Sequence, residues 1–134
     1  MFERYTQDAL GAVFYARAEA GIRGAPTIEV DHLLAGVLSQ PSAVLPADAV
    51  RSLLQHLHGS EPRPSIAFSG VDLPVSESGA LVFSYAEQAA RGLGSSEIRL
   101  EHLLLGILRQ NQRVRALFDE HGIDADFLLR ALKR

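Results

Sequence analysis

The chain has 134 residues, of which 47% are hydrophobic and 22% are charged, and this composition is ordinary for one globular domain. It contains no cysteine, so disulfides and thiolate metal sites are excluded, and a reducing cytoplasm is the expected compartment. The net charge of -3 argues against nucleic acid as a partner, because such an interface needs a basic patch. No stretch approaches the roughly 18 apolar residues of a membrane-spanning helix, so no membrane contact is expected.

The first part of the chain predicts three helices. Apolar residues recur at three- and four-residue steps, which is the spacing of one helix face. Thr6 is the predicted N-cap of the first helix, Pro41 ends the second, and Pro46 lies in the first turn of the third. An irregular turn is expected between the two prolines. The predicted helices span residues 6–23, 31–39 and 47–58.

The second part of the chain predicts four more helices after a connector. Residues 59–74 are rich in Gly, Ser and Pro, so they are interpreted as the connector, with an extended piece around Ile66 and Phe68. Ser76 is the predicted N-cap of the helix that follows. The predicted helices span residues 76–91, 100–109, 111–122 and 124–132.

The two parts are copies of one unit. Residues 30–38 recur 70 positions later as residues 100–108, each with an acidic residue, a histidine, and an apolar run that contains one glycine. Residues 6–40 and 76–110 share 11 identities in 35 aligned pairs, where chance would give about two or three. The second copy has a full helix between Asn111 and Gly122, at the place where the first has only Pro41 to Pro46.

The repeat and the helix pattern together predict the fold class. We expect an all-α domain over residues 1–134 with about seven to eight helices. Repeat one covers residues 1–58, the connector residues 59–74, and repeat two residues 75–134. Neither half could bury its apolar face alone, so the two should pack as a pseudo-twofold pair.

Three features of the sequence resemble the double Clp-N motif: the doubled acidic-His-Leu-Leu-x-Gly-x-Leu element, the start MFERYT at residues 1–6, and the Leu-x-x-x-x-Gly-Ile pattern at residues 117–123. That motif forms the N-terminal domain of the ClpC, ClpA and ClpB AAA+ unfoldases, and the start is most similar to ClpC. The resemblance implies a helical pseudo-dimer that docks client proteins and adaptors for the ATPase ring, without catalysis or cofactor. It implies the docking domain of an unfoldase, or an accessory protein that modulates or shields the Clp unfoldase.

The resemblance also implies two phosphoarginine sites. Position by position, these would be Thr6 with Asp31 in repeat one and Ser76 with Glu101 in repeat two. Of the two carboxylates, Glu101 is expected to bind the guanidinium better. A hydroxyl at a helix N-terminus suits the phosphate, and a carboxylate suits the guanidinium. The alternative is that Asp31 and Glu101 only stabilise the N-termini of their own helices.

Phe2 and Val13 match a groove that receives hydrophobic peptides and cyclic-peptide antibiotics in actinobacterial ClpC domains. The alternative is that Phe2 only packs the N-terminus onto the domain. A different class of function also stays open, in which a degenerate repeat serves only in structural association with a Clp subunit.

His32 and His102 each follow a carboxylate, which raises the question of a metal site or a hydrolase. Neither has a second ligand three or four residues away on its helix, so no metal is expected and a structural role is predicted for both. A small hydrolase that uses His102 with Glu101 is the weakest of the functional alternatives. The sequence has no phosphate-binding Gly-x-x-x-x-Gly-Lys-Ser/Thr loop, so no ATP site of that type is predicted.

Overall fold

The computed structural model describes residues 2–40, 45–57 and 74–132. Within these ranges the chain forms seven α-helices and no strand, which confirms the all-α prediction. No described helix is long and apolar enough to cross a membrane. The helices are α1 (Gln7–Ile22), α2 (Val30–Ser39), α3 (Ala47–Leu57), α4 (Glu77–Gly92), α5 (Leu100–Gln110), α6 (Gln112–Glu120) and α7 (Ala125–Leu132).

The helices begin where side chains accept hydrogen bonds from their free N–H groups. Thr6 Oγ1 accepts from the backbone N of Ala9 (3.2 Å) at the start of α1, and Ser76 Oγ accepts from Gly79 N (3.0 Å) at the start of α4. Asn111 caps α6 in the same way. Such caps stabilise a helix by about 1 kcal/mol each. The two predicted N-caps, Thr6 and Ser76, are therefore confirmed.

The two repeats are joined by a crossed pair of parallel bridges. The backbone N of Thr6 donates to the carbonyl of Ile98 (3.1 Å), and the backbone N of Ser76 donates to the carbonyl of Ile28 (3.0 Å). Each bond therefore links the start of one repeat to the segment before the second helix of the other. Ser76 follows Thr6 by 70 positions, and Ile98 follows Ile28 by the same offset, so the two bonds are equivalent by a pseudo-twofold axis and the predicted architecture is confirmed.

The conserved spacing of one glycine in each repeat has a packing reason. Helix α2 packs on α1, and α5 packs on α4. A Cβ on Gly106 would lie 2.5 Å from the carbonyl oxygen of Val82, and a Cβ on Gly36 would overlap the carbonyl of Ala12. These glycines therefore allow the two helix pairs to approach each other closely.

Helix α5 is the central element of the domain. It packs against α4, α2, α6, α7 and α1, and its residues 100–108 are all buried. Its counterpart α2 is less enclosed, because its second residue, Asp31, is exposed. The predicted irregular turn from Pro41 to Pro46 falls largely on residues 41–44, and the predicted connector, residues 59–74, falls on residues 59–73 except for its last position. Both lie outside the described residues, so these two expectations stay predictions.

Candidate functional site

Asp31 lies in the first turn of α2, at a cavity of about 140 Å³. The residues around it come from the three helices of repeat one, so the cavity depends on how these helices pack. The cavity is lined by Glu19, Arg23, Asp31, His32, Ala35 and Leu57.

Charges of both signs line this cavity. Arg23 Nε lies 2.5 Å from Glu19 Oε1, one helical turn earlier in the chain, and both side chains are half-buried. The carboxylate of Asp31 is exposed, and its Oδ1 accepts a long hydrogen bond from Asn111 Nδ2 (3.4 Å) of repeat two. A guanidinium and two carboxylates therefore stand around one opening, so the cavity suits a ligand that itself carries both charges.

His32 lines the same cavity, but one of its ring nitrogens is already used in a hydrogen bond at the start of its own helix. Its Nδ1 accepts a hydrogen bond from the backbone N of Glu29 (2.9 Å), which places the proton of the neutral imidazole on Nε2. Burial lowers the pKa of His32 below its ordinary value. The side chain is therefore a neutral donor to the cavity at physiological pH.

Thr6 and Ser76 are hydrogen-bonded to the segments that lead into the second helices of the opposite repeats. The bridge at Ile28 brings Ser76 beside the segment that leads into α2 and Asp31, while the bridge at Ile98 brings Thr6 beside the segment that leads into α5 and Glu101. The backbone bonds thus connect each N-cap residue to the opposite repeat. The pairing of Thr6 with Asp31 and of Ser76 with Glu101 stays a prediction.

Glu101, the equivalent of Asp31, is closed off from solvent. It is 6% exposed, and its Oε2 lies 3.4 Å from Arg99 Nε, without accepting a hydrogen bond from any described residue. An incoming guanidinium cannot reach this carboxylate unless the surrounding side chains move. The burial of Glu101 therefore gives no support to the expectation that it binds the guanidinium better than Asp31 does.

His102 is fully buried next to Glu101. Its Nδ1 accepts a hydrogen bond from the backbone N of Arg99 (2.9 Å), as His32 does in repeat one. Burial, and to a lesser degree the Arg99 charge, lowers the pKa of His102 to about 4. The imidazole is therefore neutral, and the predicted structural role of both histidines is confirmed by these hydrogen bonds. In the described part of the chain, no three His, Asp or Glu side chains are grouped to hold a metal ion.

Phe2 and Val13, the predicted groove residues, both take part in the core. The ring of Phe2 meets Tyr5 edge-on (4.9 Å between centroids) and Phe83 edge-on (5.6 Å), so it fixes the N-terminus to α4. Val13 is 8% exposed on the inner side of α1. A ligand could therefore reach only the outer edge of Phe2 in this arrangement, and the groove stays a prediction.

Sequence reasoning missed Glu19 and Arg23, the charged pair of the cavity. The repeat alignment could have indicated this pair, because the equivalent positions of repeat two carry the uncharged residues Ala89 and Leu93. A second cavity, of about 190 Å³, lies in repeat two, and there Arg109 covers the ring of Tyr85 at 4.6 Å from its centroid. It is not equivalent to the first, because its other charged residues come from α6 and from the turn before α7.

A family model described as "Clp repeat (R) N-terminal domain" matches residues 4–121 and 74–134. The chloroplast chaperone protein ClpC of Pisum sativum is 28% identical over 122 residues, which are 87% of this chain and 13% of that protein. The chain therefore spans about an eighth of the length of such relatives.

Two solved structures share the fold over nearly the whole chain. The N-terminal domain of the chaperone ClpD from Arabidopsis thaliana matches with a TM-score of 0.73 at 21% identity, and covers 100% of this chain and 97% of that one. A chain from a study of a malarial protein secretion system matches with a TM-score of 0.80 at 18% identity, and covers 98% and 93%. At these identities the two matches establish the fold.

Proposed function

The chain belongs to the family of Clp repeat N-terminal domains, most similar to ClpC, and from this premise we propose that it is a non-enzymatic binding module of the Clp system. Its partners would be Clp unfoldase subunits, their adaptors and their client proteins. The family match, the pseudo-twofold helical fold and the charged cavity at Asp31 support this proposal. The module would present bound proteins to the unfoldase, or hold them away from it.

We propose further that the cavity at Asp31 binds phosphoarginine side chains on tagged proteins. The exposed carboxylate of Asp31 would accept the guanidinium of the ligand through paired hydrogen bonds. Arg23 would attract the phosphate, and the N-terminus of α2 would favour its charge. The backbone of Ser76 is hydrogen-bonded to Ile28, two residues before α2, and its hydroxyl would be a further donor. The single observation that carries the proposal is the presence of both charges at this opening.

The equivalent position in repeat two lacks these features, so one site per chain is proposed. Ala89 and Leu93 replace Glu19 and Arg23, and Glu101 is buried against Arg99. A stoichiometry of one phosphoarginine per chain is therefore expected.

Calorimetric titration of the whole chain with phosphoarginine tests this proposal, with arginine and inorganic phosphate as control ligands. We expect saturable binding of phosphoarginine alone. An Asp31→Asn variant should weaken it at least tenfold, because a charge-assisted pair contributes about 1.5–3 kcal/mol. The matched control is Asp48→Asn, which removes an exposed carboxylate from the first turn of α3. No binding to the wild-type chain, or equal affinity in the two variants, would remove the phosphoarginine site.

Structural association with a Clp subunit is the second candidate function. It is favoured by the asymmetry of the repeats, because repeat two has lost the charged residues that line the cavity of repeat one. This function predicts no heat of binding with phosphoarginine. It predicts instead a larger particle in size-exclusion chromatography when the chain is mixed with a ClpC subunit, and an Asp31→Asn variant that behaves as the wild type does.

A further inference from the structure

Asn111, at the start of α6, links repeat two to the carboxylate of Asp31. Its Nδ2 donates a hydrogen bond to Asp31 Oδ1 over 3.4 Å, which is long for such a bond. Its Oδ1 accepts from the backbone N of Arg113 and from that of Val114, both at 3.1 Å, and so caps α6. One side chain therefore serves a helix start in repeat two and an exposed carboxylate in repeat one.

The cap decides which end of the Asn111 amide faces Asp31. An amide oxygen accepts hydrogen bonds, and an amide nitrogen donates them. Two backbone N–H groups already donate to the oxygen, so the NH₂ group is the end that meets the carboxylate. The cap also holds the side chain in place, so the contact with Asp31 orders little that is not already ordered. The donor is therefore in position before a ligand arrives.

The equivalent contact cannot form at Glu101. At the offset of 70 positions, Asn111 corresponds to Pro41 and Asp31 corresponds to Glu101. A proline side chain has no donor, so Pro41 cannot hold a carboxylate in this way. Glu101 has instead a cationic neighbour from its own repeat, since Arg99 Nε lies 3.4 Å from its Oε2. A neutral amide leaves the charge of Asp31 available to a cation, whereas Arg99 already compensates that of Glu101.

We propose that Asn111 is a positioning residue of the Asp31 site, which therefore draws on both repeats. The inference rests on the phosphoarginine site proposed above and adds a residue to it. A guanidinium binds a carboxylate through two parallel hydrogen bonds, which require a fixed orientation of the carboxylate plane. The side chain of Asp31 is exposed, and the bond from Asn111 restricts its rotation. Because each carboxylate oxygen can accept more than one hydrogen bond, Oδ1 stays able to accept from the ligand.

The same contact carries the effect of the ligand to α6. A ligand that holds the Asp31 carboxylate also holds the Asn111 amide, and the oxygen of that amide caps the first turn of α6. The capped N–H groups of Arg113 and Val114 should therefore open less often when the ligand is bound. Coupling between two sites is reciprocal, so the loss of this contact should also weaken ligand binding.

Calorimetric titration of the whole chain with phosphoarginine separates positioning from capping. Asn111→Ser keeps a good N-cap oxygen for α6 but removes the amide donor. It should weaken binding about fivefold, the factor that corresponds to one hydrogen bond. The matched control is Asp124→Ser, a cap exchange at α7, where Asp124 Oδ1 accepts from Phe127 N (2.8 Å). This control should bind as the wild type does, and wild-type affinity in Asn111→Ser would overturn the positioning role.

A substitution cycle tests the contact without any ligand. Asn111→Asp keeps the cap but places a second carboxylate beside Asp31, so the midpoint of thermal unfolding should fall by about 3 °C. In an Asp31→Asn background the same substitution should not lower the midpoint, because the donor and the acceptor have then exchanged places. Equal shifts in the two backgrounds would show that the side chains at positions 31 and 111 do not interact, which would overturn the proposal.

Hydrogen exchange measured by NMR tests the effect on α6. Saturating phosphoarginine should slow the exchange of the Arg113 and Val114 amides by up to about fivefold, the same factor as in the binding experiment. It should not slow them in Asn111→Ser. The Phe127 amide, capped by Asp124, is the internal control and should not respond. Unchanged exchange at the start of α6 in the ligand-bound wild type would contradict the coupling.

The failure of this inference differs from the failure of the phosphoarginine site. A wild-type chain that binds no phosphoarginine removes the site and the positioning role together, while the substitution cycle still reports whether Asn111 contacts Asp31. A wild-type chain that binds phosphoarginine, with unchanged affinity in Asn111→Ser, keeps the site and removes only the role of Asn111.

Discussion

The two repeats present the same helix start with opposite accessibility. Asp31 begins α2 at an open, charged cavity, whereas Glu101 begins α5 in the interior, with Arg99 as its neighbour. The backbone and the capping histidine are the same in both places. The difference is caused by residues elsewhere in the repeat: Glu19 and Arg23 line the first site, and Ala89 and Leu93 occupy the equivalent positions of the second. A duplicated element can thus keep its fold while only one copy keeps an accessible site.

The outer sides of α1 and α4 also differ in polarity, but here repeat one is the less polar of the two repeats. Here repeat one is the apolar copy, with Phe14 exposed, and repeat two is the polar copy, with Ser84 exposed. Repeat one therefore carries the charged cavity and also the more apolar outer side of its first helix. Repeat two contributes the central helix α5 and three of the helices that pack against it, α4, α6 and α7.

The largest effect is expected at the glycines, where the two repeats should behave alike. Gly36→Ala and Gly106→Ala should each lower the free energy of unfolding by about 1–3 kcal/mol, because the new methyl group would collide with a backbone carbonyl. The loss should be greater at Gly36, where the approach is closer. Urea unfolding measures both. The control is Gly92→Ala, whose methyl group would meet nothing within 4 Å; equal stability of all three variants would show that close helix packing is not what these glycines serve.

The buried histidine should make repeat two the acid-sensitive half. His102 has a pKa of about 4 in the folded chain and an ordinary value of 6.5, so between these values the unfolded state binds the proton and the folded state does not. Stability should therefore fall as the pH decreases from about 6.5 to about 4. His32, also lowered but only half-buried, should contribute less.

Chemical unfolding across this pH range measures the effect, and NMR titration of the wild-type imidazoles assigns it. His102→Asn should flatten the pH dependence, whereas the control His121→Asn should not. If the His102 imidazole titrates near 6.5 in the folded protein, the assignment to this residue is wrong.

The smallest effect is expected at the N-caps, and it separates capping from ligand binding. Thr6→Ala and Ser76→Ala should each cost about 1 kcal/mol, because each removes one acceptor for a helix N–H group. Thermal unfolding measures the loss. Thr6→Ser and Ser76→Thr keep the hydroxyl and should recover most of it. In addition, only the Ser76 substitution should weaken phosphoarginine binding, since Ser76 lies beside the Asp31 segment; a loss confined to Thr6→Ala would support the pairing within one repeat.

Much of the fold could be predicted from the sequence because its signals are local. Helix periodicity and N-caps at Thr6 and Ser76 placed the described helices close to their observed bounds. The identity of Gly36 with Gly106 at a fixed offset indicated a duplicated packing unit, and a duplicated unit of this size must bury its apolar face against its copy. The structural roles of His32 and His102 followed from the same pattern.

The candidate site could be predicted only in part. The sequence identified Asp31 and Glu101 as equivalent acids at helix starts, because equivalence depends only on the offset of 70 positions. It could not show that Ser76, rather than Thr6, stands beside the Asp31 segment, since that depends on the crossed bridges between repeats. Nor could it show that Val13 is buried.

The sequence by itself determined the class of the domain, its helices, its internal repeat and the residue types at each helix start. Only the tertiary structure decided which of the two carboxylates is exposed to solvent and which is buried. The exposure of Asp31 and the burial of Glu101 depend on side chains that approach from other helices. Such long-range contacts carry no local signal, because the residues that line the cavity, from Glu19 to Leu57, are brought together only when the helices pack.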